Sequence, residues 1–189
     1  MTEKSCPPAP KPGILFDELL VVMVQQGDRH ALQRLHARWN ARLVRAAYRF
    51  TGDSDLARDL AQECWIGIWK GIGKLRDPAL FRSYAFAILH RRGADHLRGQ
   101  RRIPQTHGSD PPEPSEQAVQ GEALALREAF AALPPDQRLA AHLHFVEGFT
   151  LAEIAAVQGI PTGTAKSRLF HARRKLKAAL TETSQGETT

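Results

Sequence analysis

The residues with distinctive chemistry fall into three groups. The first is basic. Between Glu153 and Glu182 there is no Asp or Glu, while Lys166, Arg168, Arg173, Arg174, Lys175 and Lys177 all lie in that interval. Such a run attracts a polyanion. The second group is acidic: Asp55, Asp59, Gln62 and Glu63 make the one concentrated acidic patch of a basic chain. Acids near a helix start favour the macrodipole in any case, and as a surface they fit a basic partner. The third group mixes Tyr84 and Phe86 with Arg91, Arg92, Arg98, Arg101 and Arg102. A single nucleic-acid strand needs that mixture, because bases stack on rings while phosphates meet Arg. The plainer reading of the same aromatics is a helix core with a basic exposed end.

Nothing in the sequence makes an enzyme. His90 and His96 are six apart, and His142 and His144 two apart. Neither is the i, i+4 spacing that puts two metal ligands on one helical face. Cys6 and Cys64 form no disulfide framework, and Cys64 reads as a packing residue. No nucleophile is paired with a base and no Gly-rich phosphate loop is present. No catalytic, metal or cofactor site is expected.

The basic group needs a scaffold, and the local signals supply one. Thr150 and Glu153 match a capping box. Leu151, Ile154, Ala155 and Val157 follow as an apolar face, Gly159 suits a left-handed helix end, and Pro161 suits the next first turn. Leu169, Ala172, Leu176 and Leu180 then recur at helical spacing. A short helix, a Gly turn and a basic second helix are the parts of a helix-turn-helix. The alternative, an αα-hairpin with a solvated basic face, loses ground because cap, turn and charge agree.

The other groups also sit on helices. Short helical periodicity covers 16–26. Asp28 is an N-cap signal for 31–50, where Leu32, Leu35, Trp39, Leu43, Ala46, Ala47 and Phe50 form a stripe. Asp53 or Ser54 opens a helix to about 75, with Leu56, Leu60, Cys64, Ile68 and Ile72 inward. A turn at 74–78 leads to a helix over 79–100. Residues 103–116, rich in Pro, Ser and acids, read as a flexible linker. Helices follow over 117–133 and 136–147, the first stopped by Pro134 and Pro135. Residues 1–13 read as a disordered tail and 181–189 as a polar one.

The 189 residues carry a formal charge of +6. That favours a polyanion without choosing among DNA, RNA and anionic membrane. The apolar run 19–24 is too short to span a bilayer and follows Asp17 and Glu18, unlike a secretory signal. A cytoplasmic protein without membrane insertion is expected.

In order, these segments resemble the extracytoplasmic-function (ECF) branch of bacterial RNA polymerase sigma factors. The carriers are Asp59-Leu60-Ala61-Gln62-Glu63 with Trp65 and Trp69, Phe81-Arg82-Ser83-Tyr84 through Asp95-His96-Leu97-Arg98, Leu133-Pro134-Pro135-Asp136-Gln137-Arg138, Leu151-Ala152-Glu153-Ile154-Ala155, and Gly163-Thr164-Ala165-Lys166-Ser167-Arg168-Leu169. The sequence departs from the family pattern at Tyr84 (usually Trp), Arg91 (commonly Asn) and Ala165 (usually Val).

The resemblance implies an all-α fold of two small helical domains, region 2 over 14–102 and region 4 over 117–181, the latter a winged-helix-like four-helix domain bearing the helix-turn-helix. It implies that Asp55, Asp59, Gln62 and Glu63 dock on the polymerase β′ clamp. The turn with Lys74, Arg76 and Asp77 would capture a flipped base of the −10 element, and Tyr84, Arg91, Arg92, Asp95 and Arg98 would hold the melted strand. The second domain would sit on the β flap and read the −35 major groove with Thr162, Thr164, Lys166, Ser167, Arg168, His171, Arg173 and Arg174. An anti-sigma factor is a further implied partner, and a stress or signal regulon the implied output. The rivals are a stand-alone helix-turn-helix regulator, which has no need of the acidic patch, and a nucleic-acid enzyme, which lacks an acid–base or metal set.

Overall fold

The computed structural model describes residues 12–100 and 120–186. The expected linker, Cys6, Arg101, Arg102 and most of the expected N-terminal tail lie outside the described residues. Helix α1 (Pro12–Gln25) starts earlier than its periodicity indicated, so 12 and 13 are helical rather than tail. Asp28 accepts hydrogen bonds from the His30 and Ala31 amides and opens α2 (Arg29–Thr51), which ends on Gly52 at φ 80°. Asp53 caps α3 (Ser54–Gly71) in the same way. Two short 3-10 helices, Ile72–Lys74 and Pro78–Leu80, replace the helix ends expected there. Gly71 and Gly73 weaken the α-helix, and Pro78 starts a new turn where its missing N–H costs little. Then come α4 (Phe81–Gln100), α5 (Gln120–Ala131), α6 (Pro135–Phe145), α7 (Leu151–Gln158) and α8 (Thr162–Gly186).

Helix α8 corrects one expectation. The polar residues from 181 onward are not a tail but its last turns, continuing to Gly186. The Thr181 hydroxyl bonds back to the carbonyls of Lys177 and Ala178, which gives this polar group partners within the helix. Among the described residues there is no strand, and no helix is long and apolar enough to cross a membrane.

Helices α1 to α4 pack around the α2 stripe. Leu35, Trp39, Leu43, Ala46, Ala47 and Phe50 are all buried. Phe81 meets Trp39 edge-on at 5.1 Å. Helix α4 lies close against α2 and α3. A Cβ on Gly93 would fall 2.3 Å from the Phe50 ring, so only Gly permits that crossing. Arg38 donates to Asp17 at 2.7 Å and ties α1 to α2.

Helices α5 to α8 form a second group, with Leu133, Ala141, Ala172 and Leu176 buried together. The two groups are in contact, and their cores merge through Leu139, Leu143, Phe149 and Ile154. Phe149, 1% exposed, meets Phe86 edge-on at 5.4 Å. Arg82 lies over the same ring, 3.8 Å from its centroid.

Candidate nucleic-acid and partner interface

The recognition helix is positioned by the short helix before it. The Thr150 side chain and Glu153 form the reciprocal capping box, with the Thr150 amide donating to Glu153 at 2.7 Å. Gly159 ends α7 at φ 63°, in the left-handed region. Ala165 and Ala172 are fully buried and fix the roll of α8. That roll leaves Thr162, Lys166, Ser167, His171, Arg173 and Arg174 exposed, with Thr164 half-buried. The Ser167 hydroxyl bonds to the Thr164 carbonyl.

Arg168 behaves differently. It donates to Gln158 at 2.9 Å and pairs with Asp136 at 2.8 Å, while Gln158 donates to the Asp136 carbonyl. These ties lie inside the second group, so Arg168 braces α8 on α6 and α7. Phe170, not singled out by the sequence, is 61% exposed beside His171. Its only sequence signal is that it lies off the stripe of Leu169, Ala172 and Leu176.

Asp55, Asp59, Gln62 and Glu63 are all exposed on α3, and Asp55 pairs with Arg58. Next to them the surface turns apolar. Trp69 and Ile66 are 59% and 53% exposed, and with Trp65, His36 and Leu32 they line a hollow of about 710 Å³ between α2 and α3. Trp65 is held by a hydrogen bond to Asn40 at 3.2 Å. The hollow was not foreseen, because Leu32 counted toward the core stripe.

Lys74, Arg76 and Asp77 are exposed in the α3–α4 connection, where Asp77 accepts from the Ala79 amide. Leu80, 54% exposed, adjoins them. Along α4, Arg91, Arg92, Asp95 and Arg98 are exposed, and Arg98 pairs with Asp95. Tyr84 is half-buried. Its hydroxyl reaches the Gly67 carbonyl at 3.4 Å and sits where a Gly71 side chain would be. Burial raises the Tyr84 pKa, as does the nearby Cys64. Phe86 is fully buried, so it is core and not a stacking platform. Cys64 donates to the Ala85 carbonyl, and burial pushes its thiol up to about 12, which leaves it inert at neutral pH.

The face of α4 that meets the second group carries polar contacts. His90 lies 3.3 Å from Asp136, and Arg82 lies 3.8 Å from Glu153. Nearby, Arg42 of α2 donates to Glu147 at 2.5 Å, and the His142 imidazole stands 3.6 Å from the same carboxylate. Burial alone would raise the Glu147 pKa, but His142 and Arg42 outweigh it and hold the group at about 2. Among the described residues no three His, Cys, Asp or Glu side chains gather to hold a metal ion.

Residues 35–103 match the family model Sigma-70 region 2, and residues 123–176 match Sigma-70, region 4. The chain is 28% identical over 180 residues to the RNA polymerase sigma-H factor of Pseudomonas aeruginosa, covering 87% of this chain and 93% of that one. It is 28% identical over 179 residues to the ECF RNA polymerase sigma-E factor of Escherichia coli K12, covering 86% and 93%. Among solved structures, CnrH in complex with the cytosolic domain of CnrY superposes with a TM-score of 0.65 at 24% identity, over 88% of this chain and 98% of that one. The sigma factor RpoE of Bartonella quintana, in complex with the anti-sigma factor NepR, gives 0.64 at 23% identity, over 79% and 96%. The two solved structures establish the fold.

Proposed function

The chain belongs to the sigma-70 family, in its ECF branch, and is a promoter-specificity subunit of bacterial RNA polymerase; from that membership we propose how its surfaces divide the work. Asp55, Asp59, Gln62 and Glu63 dock on the polymerase clamp, and the hollow of Trp65, Ile66 and Trp69 takes an apolar side chain of the same partner. Thr162, Thr164, Lys166, Ser167, His171, Arg173 and Arg174 meet the −35 duplex, and Phe170 is placed to meet a thymine methyl. Arg168 is the brace that aims them.

Lys74, Arg76 and Asp77 border the pocket for a flipped −10 base, with Arg91, Arg92 and Arg98 on the strand phosphates. Binding energy becomes strand separation without covalent chemistry by this chain. The functional boundaries fall near 102 and 117, and the site of action is the cytoplasm. A stress or signal regulon is the output carried over from the ECF branch.

Both promoter elements must be reached at once. They lie about 25 base pairs apart, or about 85 Å at 3.4 Å per step. A compact chain of 189 residues has a radius of gyration of only about 16 Å. The two helical groups therefore part when the chain engages a promoter. An anti-sigma factor of the kind bound to the RpoE neighbour would act by keeping them together.

The observation that carries this reading is the exposed acid-and-apolar strip on α3, which a stand-alone regulator does not need. Asp59→Arg with Glu63→Arg is expected to cut capture of core polymerase in a pull-down while the circular dichroism spectrum stays helical. Undiminished capture would refute the docking assignment.

A further inference from the structure

Where α2 meets α5 and α6, three guanidinium groups converge on a cleft of about 300 Å³. Arg49 comes from the first helical group; Arg127 and Arg138 come from the second. The Arg49 guanidinium lies 5.4 Å from the centroid of the Phe130 ring. Arg138 donates through Nη2 to the carbonyls of Ala131 and Leu133 at 2.6 and 3.0 Å, using the end of α5 as its acceptor. Its Nε is buried without a hydrogen-bond partner. Among the described residues none of the three makes an ion pair with a carboxylate, Glu128 on the cleft wall included.

This grouping opposes its own charge. Burial is the main influence lowering the Arg49 and Arg138 pKa values. The Arg127 charge adds to it at Arg49 and the Arg49 charge at Arg138, with Tyr48 acting the other way at both. Guanidinium cannot relieve the strain by losing a proton at neutral pH. Carbonyl acceptors serve Arg138 alone, and an anion with several acceptor atoms would compensate all three charges at once.

We propose that this cleft is a binding site for a small anion carrying one or two phosphoryl groups, held by Arg49, Arg127 and Arg138. Planar guanidinium forks suit phosphoryl oxygens better than they suit chloride. The volume is at the small end of ligand sites and fits a pyrophosphate-sized group. Because its walls come from both helical groups, an occupant fastens one to the other. The proposal does not depend on how the promoter is read.

The test is thermal unfolding of the full chain in phosphate-free, divalent-free buffer with increasing sodium pyrophosphate, against sodium chloride at matched ionic strength. A saturable rise in Tm beyond the chloride control is expected. Arg127→Gln and Arg49→Gln should each raise the half-saturating concentration about tenfold, and Arg45→Gln, on the exposed side of α2, should not. Arg127→Gln should also melt no lower than the parent without pyrophosphate, since it removes a like charge; a merely structural arginine would lower it. No rise beyond chloride, or an Arg127→Gln response equal to the parent's, would overturn the proposal. So would a response to a ten-nucleotide single strand with none to pyrophosphate, which would assign these arginines to a DNA backbone.

Discussion

Helices α4 and α8 are both basic and both assigned to DNA, yet they occupy opposite situations. Helix α8 buries a thin line of Ala165, Ala172 and Leu176 and leaves most of its polar residues in water, Thr164 and Arg168 apart. Helix α4 is packed against α2 and α3 on one side and against the second helical group on another. Arg82, Phe86 and His90 are all engaged there, by Phe149, Glu153 and Asp136. One surface is ready as folded and the other is partly covered by its own chain. On α4 the covered residues are Arg82, Phe86 and His90, while Arg91, Arg92 and Arg98 stay exposed on the same helix.

The comparison breaks most readily at Phe149. Phe149→Ala should cost about 3–5 kcal/mol in denaturant unfolding, as for other buried aromatics. Amide exchange along α4 should quicken with it. Unchanged exchange would mean that the second group does not cover α4.

Glu147→Gln comes next. Arg42 loses its charged partner, at a cost of about 3 kcal/mol, the low end for buried pairs, because Arg42 keeps 31% of its side chain in water. The pH dependence has a definite sign. The folded pKa of about 2 lies below the ordinary 4.5, so the stabilisation is complete above pH 4.5 and fades as pH falls toward 2. The gap in stability between parent and Glu147→Gln should therefore narrow on acidification, and a gap constant from pH 6 to 3 would contradict the assignment.

A smaller effect separates two arginines of α8. Arg174→Ala should reduce the slope of log affinity against log salt by about 0.9 for one lost phosphate contact. Arg168→Ala should leave that slope intact, because Asp136 and Gln158 occupy its guanidinium; equal slope changes would return Arg168 to the DNA surface. Thr150→Ala, the least of these, should cost about 1 kcal/mol of stability through the lost cap, read by thermal melting.

What was legible in the sequence was local. Thr150 with Glu153, the glycine turn at Gly159 and the α2 stripe each declare themselves within a few residues, because caps and periodicity are short-range. Interactions between distant segments were not legible. Phe149 sits between Gly148 and Thr150 and looks like loop, yet it fills the seam between the groups. Phe86 is apolar in any reading, but periodicity does not say whether a base or another ring will meet it. Arg49, Arg127 and Arg138 are ordinary surface charges until the fold brings them together. The acidic set on α3 was readable as a surface, whereas the hollow beside it depends on how α2 lies across α3.

The joint core has a consequence for biogenesis. Ribosomes release the first four helices before Phe149 exists, so for that interval Phe86 has Trp39 on one side but neither it nor Arg82 has the cover of Phe149. A nascent or prematurely terminated product would offer that surface to chaperones or to other unfinished copies, and completion of α7 would be the moment at which it ceases to be sticky.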